Sequence, residues 1–109
     1  MGVTKSILFT DEQNELANMA KVLGHPARIA ILQHIINRNA CICNDLVEEL
    51  GLAQATISQH IRELKNIGII QGTIEGKSVC YCMDENKWKE IQQRFSLFFE
   101  QDVRVEKCC

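Results

Sequence analysis

The stretch Asp45-Leu46-Val47-Glu48-Glu49-Leu50-Gly51-Leu52-Ala53-Gln54-Ala55-Thr56-Ile57-Ser58-Gln59-His60-Ile61-Arg62-Glu63-Leu64-Lys65-Asn66 decides the fold. Asn44 or Asp45 can cap a short helix through Leu46, Val47 and Leu50, which Gly51 breaks. From Gln54 to Asn66 the apolar residues recur at helical spacing. Ile57, Ile61 and Leu64 fall on one face, and Ser58, Gln59, Arg62 and Lys65 on the other. Two short helices joined by a tight turn containing glycine make a helix-turn-helix.

Downstream the period changes. Ile69 to Ile74 and Ser78 to Met83 read as strands, with Glu75-Gly76-Lys77 as the turn between them. Asp84 can cap a last helix carrying Trp88, Ile91, Phe95, Phe98 and Phe99. Upstream, Thr10 and Gln13 form a capping box with two acids at the positive end of a first helix. Leu16, Met19, Ala20 and Leu23 follow at helical spacing, and Gly24 stops the run. Pro26 opens a second helix whose predicted buried stripe is Ile29, Leu32, Ile35 and Ile36, ending at Asn37 to Asn39. The order is helix, helix, helix-turn-helix, hairpin, helix: a mainly α winged helix-turn-helix with a small β-hairpin. We expect one domain over residues 1–109, ordered from about 10 to 100, with a frayed tail over 101–109.

Composition narrows the function. The chain has 109 residues, 46% hydrophobic and 24% charged, which suits one globular domain and excludes a disordered or low-complexity chain. Its net charge of -2 excludes a sequence-blind polycation. No apolar run approaches the ~20 residues of a membrane span, and residues 1–10 lack the pattern of a secretory signal, so a cytoplasmic protein is expected. Six cysteines in a reducing compartment then point to metal binding or redox sensing rather than a disulfide framework. They come in pairs: Cys41 and Cys43, Cys80 and Cys82, Cys108 and Cys109.

Gln54, Thr56, Ser58 and Gln59, near the start of the fourth helix, suit the reading of base edges in a major groove. Arg62 and Lys65 can reach phosphates, His60 can add another such contact, and Lys77 at the hairpin tip can touch the neighbouring backbone. From Gln54 to Ser78 there are three basic residues (Arg62, Lys65, Lys77) against two acidic ones (Glu63, Glu75). So mild a balance predicts modest non-specific affinity, with specificity resting on paired half-sites.

Leu52 to Leu64 followed by Gly68-Ile69-Ile70 resembles the recognition-helix signature of the ArsR–SmtB family of metalloregulators. Leu23-Gly24-His25-Pro26-Ala27-Arg28-Ile29, with Ile31-Leu32, resembles that family's second-helix signature. Together the match runs over about residues 12 to 100. The resemblance implies a homodimeric repressor of the arsenic-responsive type, bound to double-stranded operator DNA and released by a metal or metalloid. It also implies dimerisation through the first and last helices. Leu16, Met19, Phe95, Phe98 and Phe99 fit that role, because one small core would not absorb so many large apolar residues.

Cys41-Ile42-Cys43 resembles the family's metal-binding segment at the third helix, but Asn44 precedes Asp45-Leu46 and Leu46 stands where a third cysteine would fall. Trivalent arsenic or antimony as inducer would take three thiolates, and zinc would want four ligands. The missing ligand is expected from Cys108 or Cys109, less so from Cys80 or Cys82. Packing Val79, Tyr81 and Met83 inward would turn Cys80 and Cys82 outward, since alternate strand residues share a face. Two other readings of the same fold are a redox or persulfide sensor and a cadmium, lead or zinc sensor. An enzyme is not expected: no phosphate-cradling loop opens a helix, and no strand-helix-strand unit would hold one. Neither a small organic substrate nor a cofactor needed for folding is expected.

Overall fold

The computed structural model describes residues 7–38, 46–75 and 78–105, and of these the side chains at 73–75 and 78–79 are set aside. The order is α1 (Asp11–Leu23), α2 (Pro26–Arg38), α3 (Leu46–Leu50), α4 (Gln54–Asn66), β1 (Ile70–Glu75), β2 (Ser78–Met83) and α5 (Glu85–Phe99). This is the mainly helical winged helix-turn-helix read from the periodicity.

The element boundaries follow local chemistry. Thr10 Oγ1 accepts from the Gln13 backbone N–H at 3.1 Å, and Gln13 Oε1 accepts from the Thr10 N–H at 3.0 Å, closing the capping box of α1. The Asp84 carboxylate accepts from the Lys87 N–H at 3.0 Å and starts α5. Gly51 and Gly68 lie in the left-handed region, at φ 68° and 81°. Each turns the chain out of a helix at little steric cost, and the Gly68 N–H donates to the Lys65 carbonyl at 2.9 Å. Those two turns set α3 against α4 and deliver α4 into β1.

A single apolar cluster joins Met19 and Val22 of α1, Ile31, Leu32 and Ile35 of α2, and Leu46 of α3. Ile57, Ile61 and Leu64 of α4, Ile69 and Ile70 at the start of the hairpin, and Ile91 of α5 complete it. The α4 stripe is the one the sequence predicts. In α2 the buried set is rotated: Ile31 is buried, whereas Ile29 and Ile36 are 41% and 43% exposed. The isoleucines and Leu32 spread over nearly half of the helix circumference, so spacing alone permits two overlapping stripes and the neighbouring helices choose between them. In α5 only Ile91 is buried, leaving Phe95 half-buried and Trp88, Phe98 and Phe99 exposed.

β1 and β2 pair antiparallel, with Ile70 opposite Met83, Gln71 opposite Cys82 and Thr73 opposite Cys80. Tyr81 and Met83 pack half-buried against the core, yet Cys80 is 1% exposed and Cys82 half-buried. The outward orientation expected for the two cysteines is therefore wrong. Strand alternation separates two faces but does not say that only one is covered, and β2, which also packs against α2, is covered on both. Among the described residues no helix is long and apolar enough to cross a membrane.

Leu64, with none of its surface exposed, joins α4 to the rest of the core. Leu64→Ala should cost about 2–5 kcal/mol, read as a lower urea midpoint in chemical denaturation with an unchanged slope.

Candidate nucleic-acid interface

Burial of Ile57, Ile61 and Leu64 turns the opposite face of α4 to solvent. Gln54, Thr56, Ser58, Gln59, Arg62 and Lys65 are all exposed there. Gln54 Nε2 donates to Ser58 Oγ at 3.2 Å, orienting two polar side chains one turn apart. Ala53, the N-cap, offers no side-chain acceptor, so the first-turn N–H groups are left for water or a phosphate oxygen. The surface thus combines short polar side chains at the start of α4 with two cations further along. Lys77 and Gly76, expected at the hairpin tip, lie outside the described residues.

His60 departs from the expected placement. It is 7% exposed, and its Nδ1 accepts from Arg28 Nε at 3.1 Å. That burial removes it from the phosphate-contacting face. Arg28 Nη1 also donates to the Val22 carbonyl at 3.1 Å. One guanidinium therefore reaches the last turn of α1 and the inner side of α4 from its own place in α2. His25 stands beside it, its ring centroid 4.3 Å from that of His60, and its Nδ1 accepts from the Ala27 N–H at 3.1 Å. Burial first, then His25 and Arg28, hold the His60 imidazole below the usual histidine range. Nothing in the sequence singles out Arg28 for this contact. The His-Pro-x-Arg order was visible, but no spacing rule links residue 28 to residue 60.

The thiol residues divide between described and undescribed parts of the chain. Cys41, Cys43, Cys108 and Cys109 lie outside the described residues. Cys80 and Cys82 are both disulfide-bonded. Among the described residues no group of three His, Cys, Asp or Glu side chains is placed to hold a metal ion. Of the residues expected at a dimer contact, Met19 packs inside the protomer core. Leu16 and Phe95 are half-buried, and Phe98 and Phe99 are 50% and 75% exposed. Arg94 pairs with Glu15 and Glu90, bracing α5 against α1, and Lys87 pairs with Glu90 at 2.9 Å. The Lys87 hydrogen bond and charge, with Arg94 adding to them, hold the Glu90 carboxyl below its usual range.

A helix-turn-helix with an exposed polar face and an antiparallel wing is the architecture of DNA-binding transcription regulators. The family model described as "Bacterial regulatory protein, arsR family" matches residues 25–71, which span α2 to the start of β1. An uncharacterized HTH-type transcriptional regulator of Methanocaldococcus jannaschii is 33% identical over 82 residues, covering 74% of this chain and 91% of that protein. A cadmium resistance transcriptional regulatory protein CadC homolog of Staphylococcus aureus is 31% identical over 81 residues, covering 73% and 66%. The crystal structure of the transcriptional repressor BigR from Xylella fastidiosa superposes with a TM-score of 0.61 at 24% identity, over 85% of this chain and 92% of that one. The protein belongs to the arsR family of bacterial helix-turn-helix regulators.

The two kinds of residue on α4 separate in a binding titration against a duplex selected by the protein from a random pool. Gln59→Ala should lose about 1–3 kcal/mol of discrimination between that duplex and its base-substituted forms. Lys65→Ala should weaken all duplexes alike and lower the salt slope by about one unit.

Proposed function

We propose that the protein is a repressor that binds operator DNA as a homodimer and lets go when cysteine thiolates capture trivalent arsenic or antimony. The observation that carries the reading is the clustering of cysteines along the sequence on either side of the helix-turn-helix. Cys41 and Cys43 lie a few residues before α3 in the sequence, the helix that packs against α4, and Cys80 and Cys82 lie in the wing. Arsenous acid condenses with three thiols to give three As–S bonds and three waters, so no redox partner is needed. Soft thiolates select such ions over hard ones.

Cys41 and Cys43 supply two ligands in this reading, and the third comes from Cys80 or Cys82 or from the Cys108–Cys109 pair. Cys80 and Cys82, being disulfide-bonded, could serve only after an external thiol had reduced them, so the Cys108–Cys109 pair is the favoured source. Drawing sulfurs around one ion would shift the start of α3 and misplace α4 against its half-site. A coupling of about 1–3 kcal/mol lowers operator affinity roughly 5- to 150-fold. The cadmium in the name of the Staphylococcus aureus relative is compatible with thiolate ligation, and makes cadmium the competitor to include in any titration. In an operator-release titration with arsenite, Cys41→Ser and Cys43→Ser should each leave the protein bound at concentrations that free the wild type. Release by both variants at wild-type arsenite concentrations would refute this ligand assignment.

A second reading rests on the disulfide bonding of Cys80 and Cys82. Two thiols and a peroxide give one disulfide and two waters, so an oxidant could itself drive release through the same residues. Mass spectrometry after mild peroxide treatment separates the two readings. A defined crosslink accompanied by DNA release without any metalloid favours oxidation.

The partner copy would bind through the α5 surface, where Phe98 and Phe99 meet edge to face with centroids 5.3 Å apart and Leu97 is 68% exposed. An apolar patch of this kind at a helix end marks an interaction surface, and a two-fold protein fits a palindromic site. Phe98→Asp combined with Phe99→Asp should sediment as a monomer in analytical ultracentrifugation and lose operator affinity, with α4 unchanged. A dimer that persists in this variant would place the interface elsewhere.

A further inference from the structure

We propose that Arg28 is a positioning residue for DNA recognition, holding α4 in its reading orientation through a hydrogen bond that only the neutral form of His60 can accept. The inference rests on the DNA-binding role of α4 and goes beyond it by naming what fixes that helix and what releases it.

The geometry sets the requirement. Arg28 donates from Nε to His60 Nδ1 and from Nη1 to the Val22 carbonyl, each at 3.1 Å. The Val22 carbonyl belongs to the last turn of α1, where carbonyls lack helical partners. Arginine has several fixed donors and no acceptor, and it keeps its charge at all working pH values. His60 must therefore present a lone pair at Nδ1, which places its own proton on Nε2. A second proton would go to Nδ1, turn two donors toward each other and set imidazolium against guanidinium. Because His60 is 7% exposed, water is poorly placed to replace the lost bond. Gln59 precedes His60 directly, and Thr56 lies one helical turn before it, so movement at residue 60 carries both exposed readers with it.

The charged surroundings oppose protonation. His25 and Arg28, from the corner between α1 and α2, both disfavour the imidazolium, after the larger effect of burial. On α4 itself Glu63 lies one turn on and is half-buried, and on α3 Glu48 and Glu49 are exposed. The sign follows. The folded His60 binds its proton at lower pH than the unfolded chain, whose ordinary value is 6.5. The docked arrangement is then fully stable above about pH 6.5 and loses stability as the pH falls below it.

The test measures affinity for a duplex selected by the wild type from a random pool, by fluorescence anisotropy between pH 7.5 and 5.5 at constant ionic strength. Wild-type affinity should fall about fivefold or more over this range. His60→Asn offers an amide oxygen near the place of Nδ1 and does not titrate. It should bind close to wild type at pH 7.5 with a much flatter profile. Arg28→Met should bind weakly at pH 7.5 and show little further loss on acidification. A His60→Asn profile as steep as wild type, or an Arg28→Met protein that binds normally, would overturn the proposal. If Arg28→Met proves unfolded by circular dichroism, the His60→Asn profile alone decides. Imidazole nitrogen NMR of the free protein gives a readout without DNA. Neutral His60 should appear as the Nε2–H tautomer, and α4 amides should shift with its titration. An Nδ1–H tautomer would refute the arrangement even if the DNA-binding role stands, whereas a wild type that selects no duplex would undo only that role.

Discussion

The burial of Ile57, Ile61 and Leu64 is the constraint on which the other features of the molecule depend. Those three side chains occupy one stripe of α4, and withdrawing them from water fixes the rotation of the helix about its own axis. Everything polar on the opposite face then points outward without further instruction. The recognition surface is in this sense a by-product of core packing. Its chemistry is set by which residues fill the outward positions, and its orientation by the isoleucines and leucine behind them.

Rotation alone does not place a reading helix. Its slide and tilt depend on α3, on the corner between α1 and α2, and on the entry into β1. The two left-handed glycines, Gly51 and Gly68, set the connections before and after α4. Arg28 adds a directional tie, because a hydrogen bond of 3.1 Å to His60 tolerates less displacement than apolar contact does. Apolar packing therefore provides most of the energy, and a polar bridge refines the alignment. The same division explains why an input elsewhere in a small domain can alter DNA affinity. Each neighbour of α4 is also a place from which its position can be disturbed.

Much of this was legible in the sequence because the signals are local. The capping box of Thr10 and Gln13, the cap at Asp84, Pro26 at the start of α2, and the span of α4 all depend on residues within a few positions of one another. The face of α2 was misread because isoleucines at 29, 31, 35 and 36 satisfy helical spacing in more than one way. Cys80 was misplaced for a related reason: alternation along β2 is local, but cover on its second face comes from elsewhere in the chain. His60 looked like one more polar residue on a DNA-reading helix, and nothing within that helix shows that Arg28 occupies its inner side.

The sequence by itself determined the order of elements, the winged helix-turn-helix, the polar outward face of α4 and the spacing of cysteines along the chain. Each follows from periodicity, capping or spacing, which act over one or two helical turns. Tertiary structure alone decided which side of α2 faces inward and that Cys80 is buried. It also decided that Arg28 and His60, 32 positions apart, meet in a hydrogen bond. These depend on contacts between distant segments, and such contacts exist only once the shared core has brought the segments together.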